Sequence, residues 1–123
     1  MFSSRDKLFM DRAFELAMES LHDNEVPVGA VIVKDNKIIG KGRNQVISNL
    51  DVSSHAEINA IRSASKYISN YRLNDCSIFV TLEPCHMCAK AIVDARISEL
   101  IFSTKEPKTG SIVSIDRFLD NQL

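Results

Sequence analysis

Residues 81–88 read Thr81-Leu82-Glu83-Pro84-Cys85-His86-Met87-Cys88. The run before them, 76–80, is short, apolar and rich in strand-forming residues, whereas the run after them, 89–96, favours a helix. The two cysteines therefore lie where a strand leads into a helix, and Pro84 suits the first helical position, where a missing N–H costs little. Because residues three apart on a helix are surface neighbours, both thiols can bind one metal ion.

Zinc takes four ligands, and the other obvious donor in the chain is His55, in the run Ser-Ser-His-Ala-Glu at 53–57. A set of His55, Cys85 and Cys88 would leave the fourth position to water, which is typical of a catalytic zinc site. Glu57 lies two residues beyond the histidine. In a helix interior the two side chains would point apart, but in a first turn both can converge on the metal.

Glu57 is the candidate proton carrier beside a zinc-bound water. Zinc lowers the pKa of a bound water toward neutrality, although two thiolates formally cancel the charge of the ion. The positive potential of two helix N-termini would partly restore this effect. Glu57 could take a proton from water, pass it to a ring nitrogen of the substrate and then serve the leaving ammonia. The residues thus predict hydrolytic deamination of an amidine-like carbon.

Two other interpretations of the C-x-x-C pair stay open from the residues. The pair could be a redox centre of the thioredoxin-like kind, although the motif at 55–57 argues against this. A structural zinc site would need a fourth protein ligand, which could come from Cys76, His86 or His22.

The composition is that of one small domain. The chain has 123 residues, of which 45% are hydrophobic, and its three cysteines argue against a disulfide scaffold. The N-terminus lacks the apolar core of a signal peptide, and no apolar run could span a bilayer, so we expect a cytoplasmic protein with no membrane partner. With a formal net charge of −1, nucleic-acid binding requires a local basic patch. Four cations form either such a patch or a solvated face: Lys34, Lys37, Lys41 and Arg43.

The hydrophobic periodicity predicts the order α-β-β-α-β-α-β, a sheet with helices on both faces and a site at the carboxyl ends of its strands. The last two strands flank a helix and should be parallel. The predicted elements are a helix from Ser3 or Ser4 to about Leu21, strands 26–33 and 37–44 with a turn at 34–37, a loop at 45–54, a helix from His55 to about Ser69, a strand at 77–81, a helix at 85–96, a strand at 99–103 and one helical turn from Ser114 to Leu119.

The same patterns predict details of packing. Gly40 and Gly42 indicate a bulge or a close backbone approach in the second strand. The first helix should bury a stripe of residues at helical spacing, namely Met10, Ala13, Phe14, Ala17 and Leu21. The second helix should be capped by Asp51, Ser53 or Ser54. Its buried stripe should comprise Ala56, Ala60, Ile61, Ala64 and Ile68.

The run His55-Ala56-Glu57 followed by Pro84-Cys85-x-x-Cys88 resembles the signature of the zinc nucleobase deaminases. The chain therefore resembles the cytidine/deoxycytidylate deaminase superfamily, and within it the bacterial tRNA-specific adenosine deaminases. The resemblance extends from the first helix to about Leu119 and includes the runs at 25–31, 70–73, 81–84 and 108–110.

This resemblance implies a fold: a cytidine-deaminase-like three-layer α/β/α arrangement with a mixed sheet. The last strand and the C-terminal helix would be lacking, because the chain ends about where family members continue. Residues 1–123 would form a single zinc-dependent nucleoside or nucleobase deaminase domain. The resemblance also implies one Zn²⁺ per subunit and a homodimer.

The resemblance also implies an activity, the conversion of adenosine to inosine at the wobble position of a tRNA, with the anticodon loop as partner. Asn44 would hydrogen-bond the flipped nucleoside, Val28 would line the base pocket, and backbone groups near Pro84 would contact the base or water. Two alternatives stay open. One is a deaminase of a free base or nucleotide, such as guanine, cytosine or dCMP; the other is a catalytically inactive, zinc-containing RNA-binding module.

Overall fold

A computed structural model of the protein describes residues 3–106, 108 and 110. These residues form seven elements in the predicted order. The elements are α1 (Ser4–His22), β1 (Gly29–Lys34), β2 (Lys37–Arg43), α2 (Ala56–Ile68), β3 (Ser77–Leu82), α3 (His86–Asp94) and β4 (Glu99–Thr104). None of the helices in this described part of the chain is long and apolar enough to cross a membrane.

The four strands form one mixed sheet in the order β2-β1-β3-β4. Strand β1 is antiparallel to both β2 and β3, whereas β3 and β4 are parallel, as the prediction for strands on either side of a helix required. The hairpin between β1 and β2 turns at Asp35 and Asn36, which both have positive φ angles, 52° and 61°. Short polar side chains tolerate this left-handed backbone, so the predicted turn is confirmed.

The sheet lies between one helix on one face and two helices on the other. Alternate residues of β1 and β3 point to opposite faces. Val31, Val33 and Phe79 pack with α1, whereas Ile32 and Ile78 belong to a larger core with α2 and α3. The three-layer α/β/α fold is therefore confirmed. The predicted turn at 114–119, and the question of a last strand and a C-terminal helix, fall outside the described residues.

Two predictions about helix faces and helix starts are wrong. Phe14 and Leu21 are 43% and 49% exposed, because the buried face of α1 is rotated toward Phe9 and Leu16. The N-cap of α2 is His55. Of the residues predicted to cap it, Ser53 donates to Asp51 within the loop, whereas Ser54 accepts a hydrogen bond from the side-chain amide of Asn59 in α2. Helix α3 begins one residue later than predicted, with Cys85 as its N-cap and Pro84 before the cap.

The predicted role of the two glycines in β2 is confirmed. The register between β1 and β2 shifts between Ile32 and Val33, opposite Gly40, which is the signature of a β-bulge. A Cβ at Gly42 would overlap the carbonyl oxygen of Ala56 and the backbone nitrogen of Ala60. Helix α2 therefore lies directly on the backbone of β2, and this contact fixes the start of α2.

Gly42→Ala is accordingly expected to destabilise the protein. The new methyl group meets helix backbone and not a flexible side chain, so the loss of unfolding free energy should reach about 3 kcal/mol, the upper end for overpacking. Urea denaturation measures this loss. Lys41→Ala, an exposed change on the same strand, is the control. Equal stability of the Gly42→Ala variant and the native protein would contradict the close contact.

Candidate metal centre and adjoining cavity

Three donor atoms from two distant segments meet at the carboxyl end of β3. The Nδ1 atom of His55 lies 3.6 Å from the Sγ of Cys85 and 3.4 Å from the Sγ of Cys88. Tetrahedral zinc with ordinary Zn–N and Zn–S bond lengths places nitrogen and sulfur ligands about 3.5 Å apart. One imidazole and two thiolates are also donors that zinc prefers. The three side chains therefore fit a zinc ion without rearrangement.

Both donor segments are helix starts, as predicted. His55 is the N-cap of α2, with Glu57 in the first turn, and Cys85 is the N-cap of α3, with Cys88 in its first turn. Two helix N-termini thus direct positive potential at the thiolates and at any anion bound beside them.

The structure offers no support for Cys76 as a fourth ligand. Cys76 immediately precedes β3, whereas Cys85 follows its other end. A strand of this length spans roughly 20 Å, so the two sulfurs are far apart. Among the described residues, the cluster of donors that could hold a metal ion is His55, Cys85 and Cys88. This favours a site with an open position, the catalytic pattern predicted from the sequence.

Glu57 is buried beside the three donors, with only 4% of its surface exposed. Desolvation of the carboxylate raises the pKa of Glu57 to about 7. A carboxyl group with this pKa can accept and release a proton at neutral pH, which suits general acid–base catalysis. The structure thus brings Glu57 to the ligands, while its catalytic role stays a prediction.

The two thiols have opposite proton affinities. The hydrogen bond between them lowers the pKa of Cys85 to about 4 and raises the pKa of Cys88. The hydrogen bond with Cys85 also raises the pKa of His55. Without a metal, the pair of cysteines therefore carries one thiolate and one shared proton.

Zinc binding is expected to release protons, because a metal ligand must be deprotonated. Well above the raised pKa of His55, the thiol of Cys88 should lose about one proton per zinc, and below that pKa the number should approach about two. Calorimetric titration of the metal-free protein in buffers of different ionisation enthalpy measures this number. Zinc binding without proton release would show that both thiols are already ionised.

A cavity of about 210 Å³ opens next to the three donors. It is lined by Val26, Val28, Asn44, His55, Ala56, Glu57, Leu82, Glu83, Cys85 and Glu106. Two of the predicted substrate-binding residues, Val28 and Asn44, line this cavity, while their role in substrate binding stays a prediction. The third, Pro84, is fully buried, and the neighbouring wall of the cavity is formed by Leu82 and Glu83.

Asn44 presents an unused acceptor. Its Nδ2 atom donates to the carbonyl oxygen of Val26 at 3.2 Å, whereas its Oδ1 atom is buried without a hydrogen-bond partner among the described residues. Buried polar atoms in native proteins nearly always have a partner. Asn44 is also among the residues that line the cavity, so its side chain lies next to any ligand bound there.

The sequence did not indicate the wall formed by the loop after β4. The Oε1 atom of Glu83 accepts a hydrogen bond from the backbone N–H of Glu106 at 3.1 Å. Gly110 pairs with Cys85, and a Cβ at Gly110 would overlap the Glu83 carboxyl group. Glu83 thus holds this loop over the cavity and brings Glu106 into its lining. The signal in the sequence was the glycine of the run at 108–110.

The loop that leads to His55 is fastened by a buried carboxylate. Glu25 accepts hydrogen bonds from the backbone N–H groups of Ile47 and Ser48, at 3.0 and 2.7 Å, and from the Ser48 hydroxyl at 2.7 Å. Burial alone would raise the pKa of Glu25, but these bonds and the charge of Arg43 outweigh it and lower the pKa. The ionised carboxylate is therefore the form that orders the loop.

Comparison with known proteins agrees with this site. Residues 3–104 match the model of the cytidine and deoxycytidylate deaminase zinc-binding region. The chain belongs to this family, whose shared region binds zinc.

Its relatives within the family include enzymes that act on tRNA. The tRNA-specific adenosine deaminase of Buchnera aphidicola (strain Bp) is 53% identical over 100 residues, covering 81% of this chain and 62% of that protein. The tRNA-specific adenosine deaminase of Haemophilus influenzae is 47% identical over 120 residues, covering 97% of this chain and 69% of that protein. The chain thus spans about two thirds of the length of these relatives.

Two solved structures are also similar. One, from a study of A-to-I editing by tRNA:A34 deaminases, is 40% identical with a TM-score of 0.91 and covers 93% of this chain and 83% of that chain. The other, guanine deaminase from Bacillus subtilis, is 37% identical with a TM-score of 0.80 and covers 94% of this chain and 74% of that chain.

Proposed function

We propose that the protein is a zinc-dependent hydrolytic deaminase that converts adenosine to inosine at the wobble position of a tRNA. The observation that carries this proposal is the cavity beside the metal centre. There the zinc ligands His55 and Cys85, the buried Glu57 and the side chain of Asn44 line one space. The two tRNA-specific relatives favour adenosine in tRNA as the substrate.

In this proposal His55, Cys85 and Cys88 hold the zinc, which supplies a water of lowered pKa. Glu57 takes a proton from the attacking water as it adds to the carbon that bears the amine, and it delivers this proton to the adjacent ring nitrogen. Glu57 then transfers the second proton to the amine, which leaves as ammonia, and the ring carbon keeps the oxygen. Burial raises the pKa of Glu57 in the metal-free chain, which favours a carboxyl group that both accepts and releases a proton.

The substrate base would be held by the side chains opposite the metal. Its target carbon cannot be reached inside a base stack, so the nucleotide must turn out into the cavity. Val28 would pack on the base, and Asn44 would accept a hydrogen bond from a donor of the nucleoside. Backbone groups near Pro84 would contact the base or water.

The proposal includes a single domain over residues 1–123, a homodimer with one Zn²⁺ per subunit, and a cytoplasmic location. Exposed apolar side chains support a second subunit. Leu50 is 92% exposed, Val52 84% and Ile47 64%, all in the loop that leads to the metal centre. A subunit contact over this loop would remove these three apolar side chains from water.

Deamination of a free base such as guanine is the second candidate, since a guanine deaminase of known structure is 37% identical to this chain. A substrate panel separates the two. The zinc-loaded protein is incubated with an anticodon stem-loop RNA, adenosine, guanine, cytosine and dCMP, and its zinc content is measured in the same sample. Inosine in the RNA supports the proposal. Ammonia released from free guanine, with no inosine in the RNA, would refute it in favour of a guanine deaminase. RNA binding without any product would indicate an inactive module.

A further inference from the structure

A second groove, of about 470 Å³, lies between α1, β2 and α2. Five cationic side chains and one carboxylate line it: Arg12, Lys41, Arg43, Arg62, Lys66 and Glu19. We call it the basic groove. The whole chain has a formal net charge of −1, so this concentration of positive charge is local. A concave surface lined by one sign of charge focuses its field and attracts anions.

Three of the five cations have no ion-pair partner among the described residues. Arg43 is paired with Asp23 at 2.8 Å and Glu19 at 3.8 Å, and Arg12 is paired with a neighbour on α1. By contrast, Lys41 and two α2 residues one turn apart form no ion pair within this part of the chain. Those two residues are Arg62 and Lys66. Arg62 also interacts electrostatically with Asp51, so the positive charge that β2 and α2 contribute to the basic groove is only partly balanced.

The basic groove and the catalytic cavity share a wall. Arg43 and Gln45 line the groove, whereas Asn44, between them, lines the cavity. Helix α2 is divided in the same way, because Glu57 in its first turn faces the cavity and Arg62 in a later turn lines the groove. Because residues adjacent in the chain, whose Cα atoms are about 3.8 Å apart, line the two spaces, the groove lies beside the cavity.

We propose that the basic groove binds the phosphodiester backbone of the RNA beside the deaminated nucleotide, through Lys41, Arg62 and Lys66. The inference rests on the proposed function, because that function makes RNA the substrate. Contacts of this kind position the strand without reading its sequence. They explain how a chain with a formal net charge of −1 can hold a polyanion.

The test is RNA binding by the Arg62→Ala/Lys66→Ala variant as a function of salt. The probe is a fluorescein-labelled anticodon stem-loop RNA, and its anisotropy gives the Kd over a series of KCl concentrations. Each lost phosphate contact should reduce the slope of log K against log salt by about 1, so the variant should lose about 2. At low salt its Kd should rise at least about tenfold.

The matched control is Lys7→Ala/Lys90→Ala, which removes the same total charge from two exposed lysines that are each paired with an aspartate one turn away. The control should bind like the native protein. A groove variant with the native Kd and slope would overturn the proposal, as would an equal loss in the control. Displacement of the RNA by polyglutamate as readily as by polyuridylate would also overturn it, because the groove would then select acidic protein.

Zinc content and thermal midpoint verify that the groove variant is folded, and Arg62→Gln/Lys66→Gln replaces it if it is not. Binding is measured without turnover. A native protein that deaminates nothing but shows the expected slopes would therefore refute the proposed function and leave the groove proposal standing. Inosine formation by the native protein, together with a groove variant whose salt slope equals the native slope, would support the proposed function and refute the groove proposal.

Discussion

Glu57→Gln is expected to reduce kcat for adenosine deamination by a factor of about 10² to 10⁴, the usual contribution of a general acid–base group. Glutamine keeps the size of the side chain but cannot carry a proton, so zinc content should not change. Single-turnover assays on the anticodon stem-loop RNA, together with zinc analysis, measure both quantities. An unchanged rate would exclude Glu57 as the proton carrier and would refute the proposed mechanism.

The matched control for this change is Glu106→Gln. Glu106 also lines the cavity, but its carboxylate belongs to the loop after β4, where it accepts a hydrogen bond from the backbone N–H of Lys108 at 3.0 Å. Loss of this carboxylate should lower kcat by less than about tenfold, because the proposed proton transfers do not use it. Equal losses in the two variants would indicate a general effect of negative charge in the cavity.

Glu57→Gln should also stabilise the metal-free protein in alkaline solution. Glu57 has a pKa of about 7 in the folded chain, against an ordinary value of 4.5. As the pH rises from 4.5 to 7, the unfolded chain ionises this group first, so the unfolding free energy falls, by up to about 3 kcal/mol. A neutral glutamine side chain removes this penalty. Urea denaturation should therefore show equal stability at pH 4 and a more stable variant at pH 8; a less stable variant at pH 8 would contradict the buried carboxyl.

Cys88→Ala is expected to abolish both zinc binding and deamination. Two remaining protein ligands cannot retain an ion that needs three here, so zinc should fall from about one per chain to near zero after dialysis against a chelator. Metal analysis and the RNA assay follow the two losses. Cys76→Ala is the control, because Cys76 is also a buried free cysteine but lies at the other end of β3.

The control variant should keep its zinc and its activity and lose only some stability, since a small buried side chain is shortened. A Cys88→Ala protein that retained zinc would show that the ion is bound elsewhere. Loss of zinc from the Cys76→Ala protein would place that sulfur near the ion, against the geometry of the strand.

The sequence predicted the metal centre well because its donors lie in short local patterns. A C-x-x-C pair at a strand–helix junction brings Cys85 and Cys88 together without any knowledge of the fold. The parallel strands and the turn at Asp35 and Asn36 were also predictable, since backbone preferences determine them. The cap residue of α2 was not, because His55 occupies that position in place of a serine or aspartate.

Contacts between distant segments were beyond the sequence patterns. Periodicity indicated that α1 is amphipathic but did not determine which way its apolar face is rotated, so Phe14 was assigned to the core in error. The hydrogen bond from Glu106 to Glu83 spans 23 residues and has no local signature. The predicted basic cluster of Lys34, Lys37, Lys41 and Arg43 differs from the observed basic groove for the same reason. Arg43 forms ion pairs with residues at α1, whereas Arg62 and Lys66 of α2 line the groove with Lys41.

The helix starts at the metal centre have one more consequence. The N-cap residues of α2 and α3, His55 and Cys85, are also donors of the candidate metal centre, so the first amides of both helices lie beside that centre. These amides should exchange with deuterium quickly in chelator-treated protein and slowly once zinc holds the two cap residues in place. The ion would then stabilise the N-terminal turns of α2 and α3. When zinc is scarce, these two turns should fray before the protein unfolds globally.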